Sequence, residues 1–261
     1  MLVIVIILGI VEGLTEFLPV SSTGHLILVG HLLHFTGDTA NTFEVVIQFG
    51  AILAVVWEYR KSLLSHAVTV TSNSESRRYY GNIVVAFIPA AILGFLFHDF
   101  LKEHLFHPRN VAWALIVGAI IIQVVEMLKI TPRTETVEKM SVRQALGIGV
   151  AQCAALFPGF SRSAATILGG LLAGCSRPTA ASFSFLLAIP TIFGATVLDL
   201  YKAWDTLRPE DLGWIGLGLV ISFFSALAAV RWFLRFVSHH SLTVFAAYRL
   251  VIGIIVLVVL G

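Results

Sequence analysis

The chain has 261 residues, of which 57% are hydrophobic and only 12% charged, and its mean hydropathy is +0.92. So few charges cannot cover a soluble core of this size, which excludes an ordinary soluble domain. Seventeen basic against fifteen acidic residues, a net charge of +2, give no basis for a nucleic-acid partner. Cys153 and Cys175 both lie in apolar stretches, where they suit packing better than a disulfide framework or a metal cluster. The N-terminus has neither a basic region nor a small-residue cleavage site, so no cleavable signal is expected.

In chain order, the first region is 1–35. It has two apolar pieces, each shorter than the roughly 20 residues that a bilayer crossing needs. The polar turn LPVSSTGH (18–25) separates them, and two short apolar pieces around such a break predict a re-entrant helix hairpin. Spanning runs follow at about 43–58, 81–100 and 110–129, with polar connections at 59–80 and 101–109. After the polar stretch 130–143 comes a second broken region, 144–175, interrupted by FPGFSRSAAT (157–166). Three more spans are expected at about 179–201, 212–236 and 242–260, separated by 202–211 and the short 237–241.

The two broken regions match without a gap when one is shifted by 140 positions: Gly9 falls on Gly149, Glu12 on Gln152, Phe17 on Phe157 and Ser21 on Ser161. Each is followed by three spans. Three is odd, so the second repeat is expected to be inverted relative to the first, an architecture typical of transport-like folds. The expected fold is an all-α polytopic membrane protein in one domain, 1–261. It is an inverted repeat of about 1–130 and 141–261, with two re-entrant hairpins and about six transmembrane helices.

Lysine and arginine set the orientation. Eleven of them fall on the side of 59–80, 130–143 and 237–241, and four on the other. The first side is therefore expected in the cytoplasm, with the first hairpin dipping in from outside and the second from inside.

Both turns carry chemistry. Glu12 and Glu16 are spaced i, i+4 on one helix face, where like charges repel unless a cation, a proton or an arginine lies between them. A charge at bilayer depth costs roughly 2.5–3.5 kcal/mol on insertion scales, so Glu12, Glu16 and Arg162 together point to a functional site. A buried Glu–Arg162 salt bridge is the plainer alternative. Ser21, Ser22 and Thr23 precede one helix, Ser161 and Ser163 another. Any of these serines makes a good N-cap, but two helix N-termini meeting around Arg162 would also bind a small, highly charged anion. The arginine fork suits phosphate, and a diphosphate fits best. A divalent ion, Mg²⁺ or Ca²⁺, would bridge the carboxylates and phosphate oxygens. His25, about one turn from Ser22, could serve as acid or base.

Three further features stay open on sequence alone. Glu44 and Gln48 suit either the cavity or a solvated helix end. Arg249, inside the last span, reads first as an ion-pair partner of Glu126 and second as a ligand group. Gly9 and Gly13 form a G-x-x-x-G that fits either packing within the chain or a homodimer.

GIVEGLTEFLPVSSTGHL, FEVVIQFGAILAVV (43–56), QCAALFPGFSRSAATI (152–167) and AAYRLVIG (246–253) resemble the undecaprenyl-diphosphate phosphatase family of the bacitracin-resistance type, over essentially the whole chain. The resemblance implies an integral enzyme of the bacterial inner membrane that depends on a divalent cation. It would remove the terminal phosphate of a polyprenyl diphosphate on the outer side, recycling the carrier for peptidoglycan synthesis. The family's acidic motif maps onto Glu12 and Glu16 and its Ser-His element onto Ser22 and His25. Its PGxSRSxxT element maps onto Pro158, Gly159, Ser161, Arg162, Ser163 and Thr166. Phe160 stands where threonine is usual, and Ala164 where glycine is usual.

The expected assignment is catalysis by Ser22, His25, Glu16 and Arg162, with metal on Glu12 and Glu16. Substrate contacts are expected from Ser21, Thr23, Ser161, Arg162, Ser163 and Thr166. Ser22, activated by His25, attacks the β-phosphorus, or a metal-activated water does so with Ser22 positioning. The rival class is a lipid-phosphate flippase or ion-coupled carrier on the same plan, which would need the arginine but not Ser22 with His25.

Overall fold

The computed structural model describes residues 1–105, 107–202 and 212–260. Its α-helices are α1 (Leu2–Thr15), α2 (Ser22–Leu32), α3 (Asp38–Thr69), α4 (Ser74–Leu105), α5 (Pro108–Met127), α6 (Val142–Gln152), α7 (Arg162–Leu172), α8 (Arg177–Lys202), α9 (Leu212–Val237) and α10 (Thr243–Leu260). Among the described residues there is no strand, only a bridge pairing Thr134 with Cys175. Six helices, α3, α4, α5, α8, α9 and α10, are long and apolar enough to cross a membrane. The surface fits that reading: Phe95 is 74% and Val258 79% exposed, while Arg249 is fully buried. This is a multi-pass, all-α membrane protein.

The four helices of the two broken regions are short. They have 14, 11, 11 and 11 residues, or about 16–21 Å at 1.5 Å per residue, well under a hydrocarbon core of about 30 Å. Their turns are built alike. Ser21 (φ 69°) and Ser161 (φ 77°) both take the left-handed conformation that non-glycine residues seldom adopt. Each then caps the following helix, Ser21 Oγ accepting from the Gly24 amide at 3.4 Å and Ser161 Oγ from the Ala164 amide at 3.2 Å. Gly159, at φ 92°, lies so close to the Val111 backbone that a β-carbon would collide with it.

The polar segment 59–80 is mostly helical rather than a connection. α3 continues to Thr69, and α4 starts at Ser74. A helix once formed adds residues cheaply, and cross-links between the two overhangs hold them: Tyr80 donates to the Leu63 carbonyl at 2.6 Å, and Thr69 Oγ meets Ser76 Oγ at 2.7 Å. Similarly, α4 runs to Leu105, into the expected connection 101–109. Of the expected connection 202–211, residues 203–211 lie outside the described residues.

Packing exchanges elements between the halves of the chain. α1 packs on α9 and α6 on α4, while α3 meets α8 and α5 meets α10. Gly9 and Gly13 face α9, where a β-carbon on Gly13 would strike the Ser222 carbonyl and Ser225. The G-x-x-x-G is therefore used inside the chain.

Candidate active site

Glu16 ends α1 and is the junction of the site. Its Oε2 accepts from Ser22 Oγ at 2.6 Å, and its Oε1 pairs with Arg162 Nη2 at 3.1 Å. One carboxylate thus joins the first turn to the second. The other nitrogen of the fork, Arg162 Nη1, donates to the Ser184 carbonyl of α8 at 2.9 Å, while Nε has no partner. The guanidinium also lies over the Phe17 ring, 5.4 Å from its centroid.

Glu12 is one turn behind Glu16 and fully buried, with neither carboxylate oxygen accepting a hydrogen bond. Two orphaned hard oxygens beside a second carboxylate fit a divalent cation, because an unpaired buried anion is otherwise very costly. Among the described residues, no group of three or more His, Cys, Asp or Glu side chains is gathered into a closed site. Carboxylate oxygens of this kind are donors that Mg²⁺ and Ca²⁺ accept.

His25 is not where sequence reasoning placed it. Its Nδ1 lies 2.7 Å from the Ser21 carbonyl and its Nε2 2.7 Å from Tyr248 Oη. A carbonyl only accepts, so Nδ1 carries the proton and Nε2 accepts from the tyrosine hydroxyl. With both nitrogens occupied, His25 does not reach Ser22. Glu16 holds the position expected of it.

The remaining predicted residues divide into two groups. A cavity of about 880 Å³ is lined by Glu16, Ser21, Ser22, Thr23, Ser161 and Arg162 among its polar groups, and by Phe87, Phe95, Leu156, Phe157 and Ile192 among its apolar ones. Ser163 and Thr166 do not line it. Both are fully buried. Ser163 Oγ donates to the Leu18 carbonyl at 2.7 Å, and Thr166 Oγ meets Ser184 Oγ at 2.6 Å. They join the second turn to the first and α7 to α8, so their expected substrate contacts are corrected to structural ones.

Glu44 and Gln48, left open between cavity and solvated helix end, line the cavity. Sequence reasoning missed Gln152, which also lines it and whose buried Nε2 has no partner. Arg249 does not pair with Glu126. Glu126 instead bonds Arg177 and the Leu242 amide, while Arg249 donates only to backbone carbonyls. A Tyr-Arg pair inside an apolar span was the available signal for Tyr248 and Arg249.

A family model described as "Bacitracin resistance protein BacA" matches residues 5–255. A protein of Aromatoleum aromaticum named undecaprenyl-diphosphatase is 52% identical over 255 residues, covering 98% of this chain and 93% of its own length. Proteins of the same name from Nitrosomonas europaea and Nitrosospira multiformis are each 54% identical, covering 97% of this chain and 92% and 93% of theirs.

Proposed function

The chain belongs to the bacitracin resistance protein BacA family, and we propose that it hydrolyses undecaprenyl diphosphate to undecaprenyl phosphate and inorganic phosphate. That reaction would recycle the lipid carrier for peptidoglycan synthesis and give resistance to bacitracin. The observation that carries the reading is the 2.6 Å hydrogen bond from Ser22 Oγ to Glu16 Oε2, on the wall of a cavity lined by both polar and apolar side chains. A nucleophile with its base in hydrogen-bond reach is what phosphoryl transfer needs and what a carrier does not.

In this mechanism the cavity's apolar side chains take the start of the prenyl chain, and its serines and Arg162 take the diphosphate. Glu16 removes the Ser22 proton. Ser22 Oγ attacks the β-phosphorus as the bond to the bridging oxygen breaks, and the lipid monophosphate leaves as a stable anion. Glu16 gives the Ser22 proton up to solvent as the lipid monophosphate leaves. Water then attacks the phosphoserine as the Ser22 Oγ–phosphorus bond breaks. Glu16 takes the water's proton and passes it to Ser22 Oγ, and inorganic phosphate is released. Arg162, through Nε and the N–H groups not turned to Glu16 and Ser184, steadies the equatorial oxygens. Glu12 and Glu16 would hold a divalent cation, which when bound neutralises phosphate charge. His25, fixed by Tyr248, orients the Ser21 carbonyl and so the first turn.

The exchanged packing and the matching serine turns support an inverted repeat of 1–130 and 141–261. Six apolar helices and bacterial relatives support a place in the bacterial inner membrane, and the lysine and arginine bias supports a site open to the outer side. Gly9 and Gly13 lend no support to a homodimer.

The test is phosphate release by the purified protein given a prenyl diphosphate, with and without chelator. Turnover with Mg²⁺ or Ca²⁺ that stops in EDTA and returns on adding metal is expected. No release under any condition would leave the carrier reading in place. Full turnover in excess EDTA would remove the metal.

A further inference from the structure

We infer that Arg249 is a positioning residue: it sets the distance between the two catalytic turns by donating to backbone carbonyls of both. The inference rests on the phosphatase reading above.

Arg249 lies in α10, fully buried. All five of its N–H groups have an acceptor, and every acceptor is a main-chain oxygen. Nη1 donates to Pro19 at 3.2 Å and to Phe160 at 2.9 Å, Nη2 to Gly159 at 3.1 Å and to Ala114 at 3.1 Å, and Nε to Leu115 at 3.3 Å. Pro19 lies in the turn that ends in Ser21 and Ser22, and Gly159 and Phe160 in the turn that leads to Ser161 and Arg162. The rigid fork therefore bridges the nucleophile's turn and the phosphate-binding turn, with α5 as its anchor.

No carboxylate is among the acceptors of this cation. A buried guanidinium is expensive, and its carbonyl partners pay no counter-charge. A plain structural role at a helix contact could be filled by an apolar side chain. Both turns also have strained residues, Ser21 and Ser161, in the left-handed region. Such backbone persists only where its surroundings over-determine it, and it clusters at functional sites. The fold makes room for the arginine as well: at Gly118 of α5, a β-carbon would collide with the guanidinium.

Two substitutions test this without touching the cavity wall. Arg249→Lys keeps the charge and loses the fork. Gly118→Ala keeps the arginine and pushes its guanidinium aside. The full-length protein in detergent with Mg²⁺ is assayed on a short prenyl diphosphate, with thermal unfolding measured on each sample to give the folded fraction. Per folded molecule, each variant is expected to lose at least tenfold in kcat, while KM stays within threefold, because the chain-binding wall is intact and only the alignment of Ser22 against Arg162 suffers. A merely structural arginine would lower the unfolding temperature and leave kcat of the folded protein unchanged, and that result in either variant overturns the inference. A lysine variant with parental kcat would show that charge, not spacing, is what Arg249 supplies. If Arg249→Lys gives no folded protein, Gly118→Ala decides alone. If neither folds, Arg249 is a requirement of folding and the inference fails. A parent protein that releases no phosphate sinks the hydrolase reading instead.

Discussion

Arg162 has two fixed partners, the Glu16 carboxylate and the Ser184 carbonyl. The salt bridge that was the plainer expectation is therefore present, and the question is whether it exhausts the residue. Its Nε has no partner, which under the proposed mechanism leaves a donor for a phosphate oxygen. A salt bridge needs only a positive charge, whereas a clamp on phosphate needs the planar fork. Arg162→Lys is therefore expected to fold and to lose at least about tenfold in kcat/KM, or roughly 1.4 kcal/mol of transition-state stabilisation. Steady-state kinetics beside thermal unfolding decide it, and a lysine variant that turns over like the parent would make the arginine structural. The glutamates, the serines and Arg162 were legible in the sequence because polar side chains inside apolar runs stand out. Arg249 stood out too, but its partners could not be read. They are main-chain oxygens of residues up to 230 positions away, and a carbonyl has no sequence signature. His25 failed for the opposite reason: its short spacing from Ser22 suggested contact, and Tyr248, from the far end of the chain, took the nitrogen instead.

At the scale of the element, all six spans were legible, because a bilayer demands long apolar runs and hydropathy reports them directly. Helix ends were not, since a hydropathy limit marks where lipid stops and not where hydrogen bonding does, as the overhangs of α3 and α4 illustrate. The short helices are held by close backbone approach. Gly13→Ala should force α1 off α9 and destabilise the protein by about 1–3 kcal/mol, as overpacking does. Gly81→Ala, with open space around its α-carbon, should be neutral or slightly stabilising, since alanine favours helix. Thermal unfolding in detergent compares them, and equal midpoints would mean that the α1–α9 contact is looser than described.

For the whole molecule, the proposed orientation makes a definite labelling pattern. Cys175 is buried and its thiol is pushed up to about 11 by that burial, so replacing the half-buried Cys153 is enough to give a quiet background. In intact cells, a membrane-impermeant thiol reagent should then modify His107→Cys and spare Thr71→Cys and Thr136→Cys, all three at exposed positions. The reverse pattern would turn the molecule over and move the entrance of the first hairpin to the cytoplasmic side.

The exchange of partners between the halves also fixes an order of events during synthesis. α1 leaves the ribosome first, yet the helix it packs against, α9, begins at Leu212. Through most of translation the small-residue face of α1, Gly9 and Gly13, lacks its partner α9, and Glu16 lacks Arg162. The α1 face that packs on α9 has no partner there until the last fifth of the chain arrives, and Arg249 is made later still. Contacts this distant in sequence close last. Assembly of the site is therefore expected late in folding, and a chain cut short before α10 is expected to lack the Arg249 bridge between the two turns.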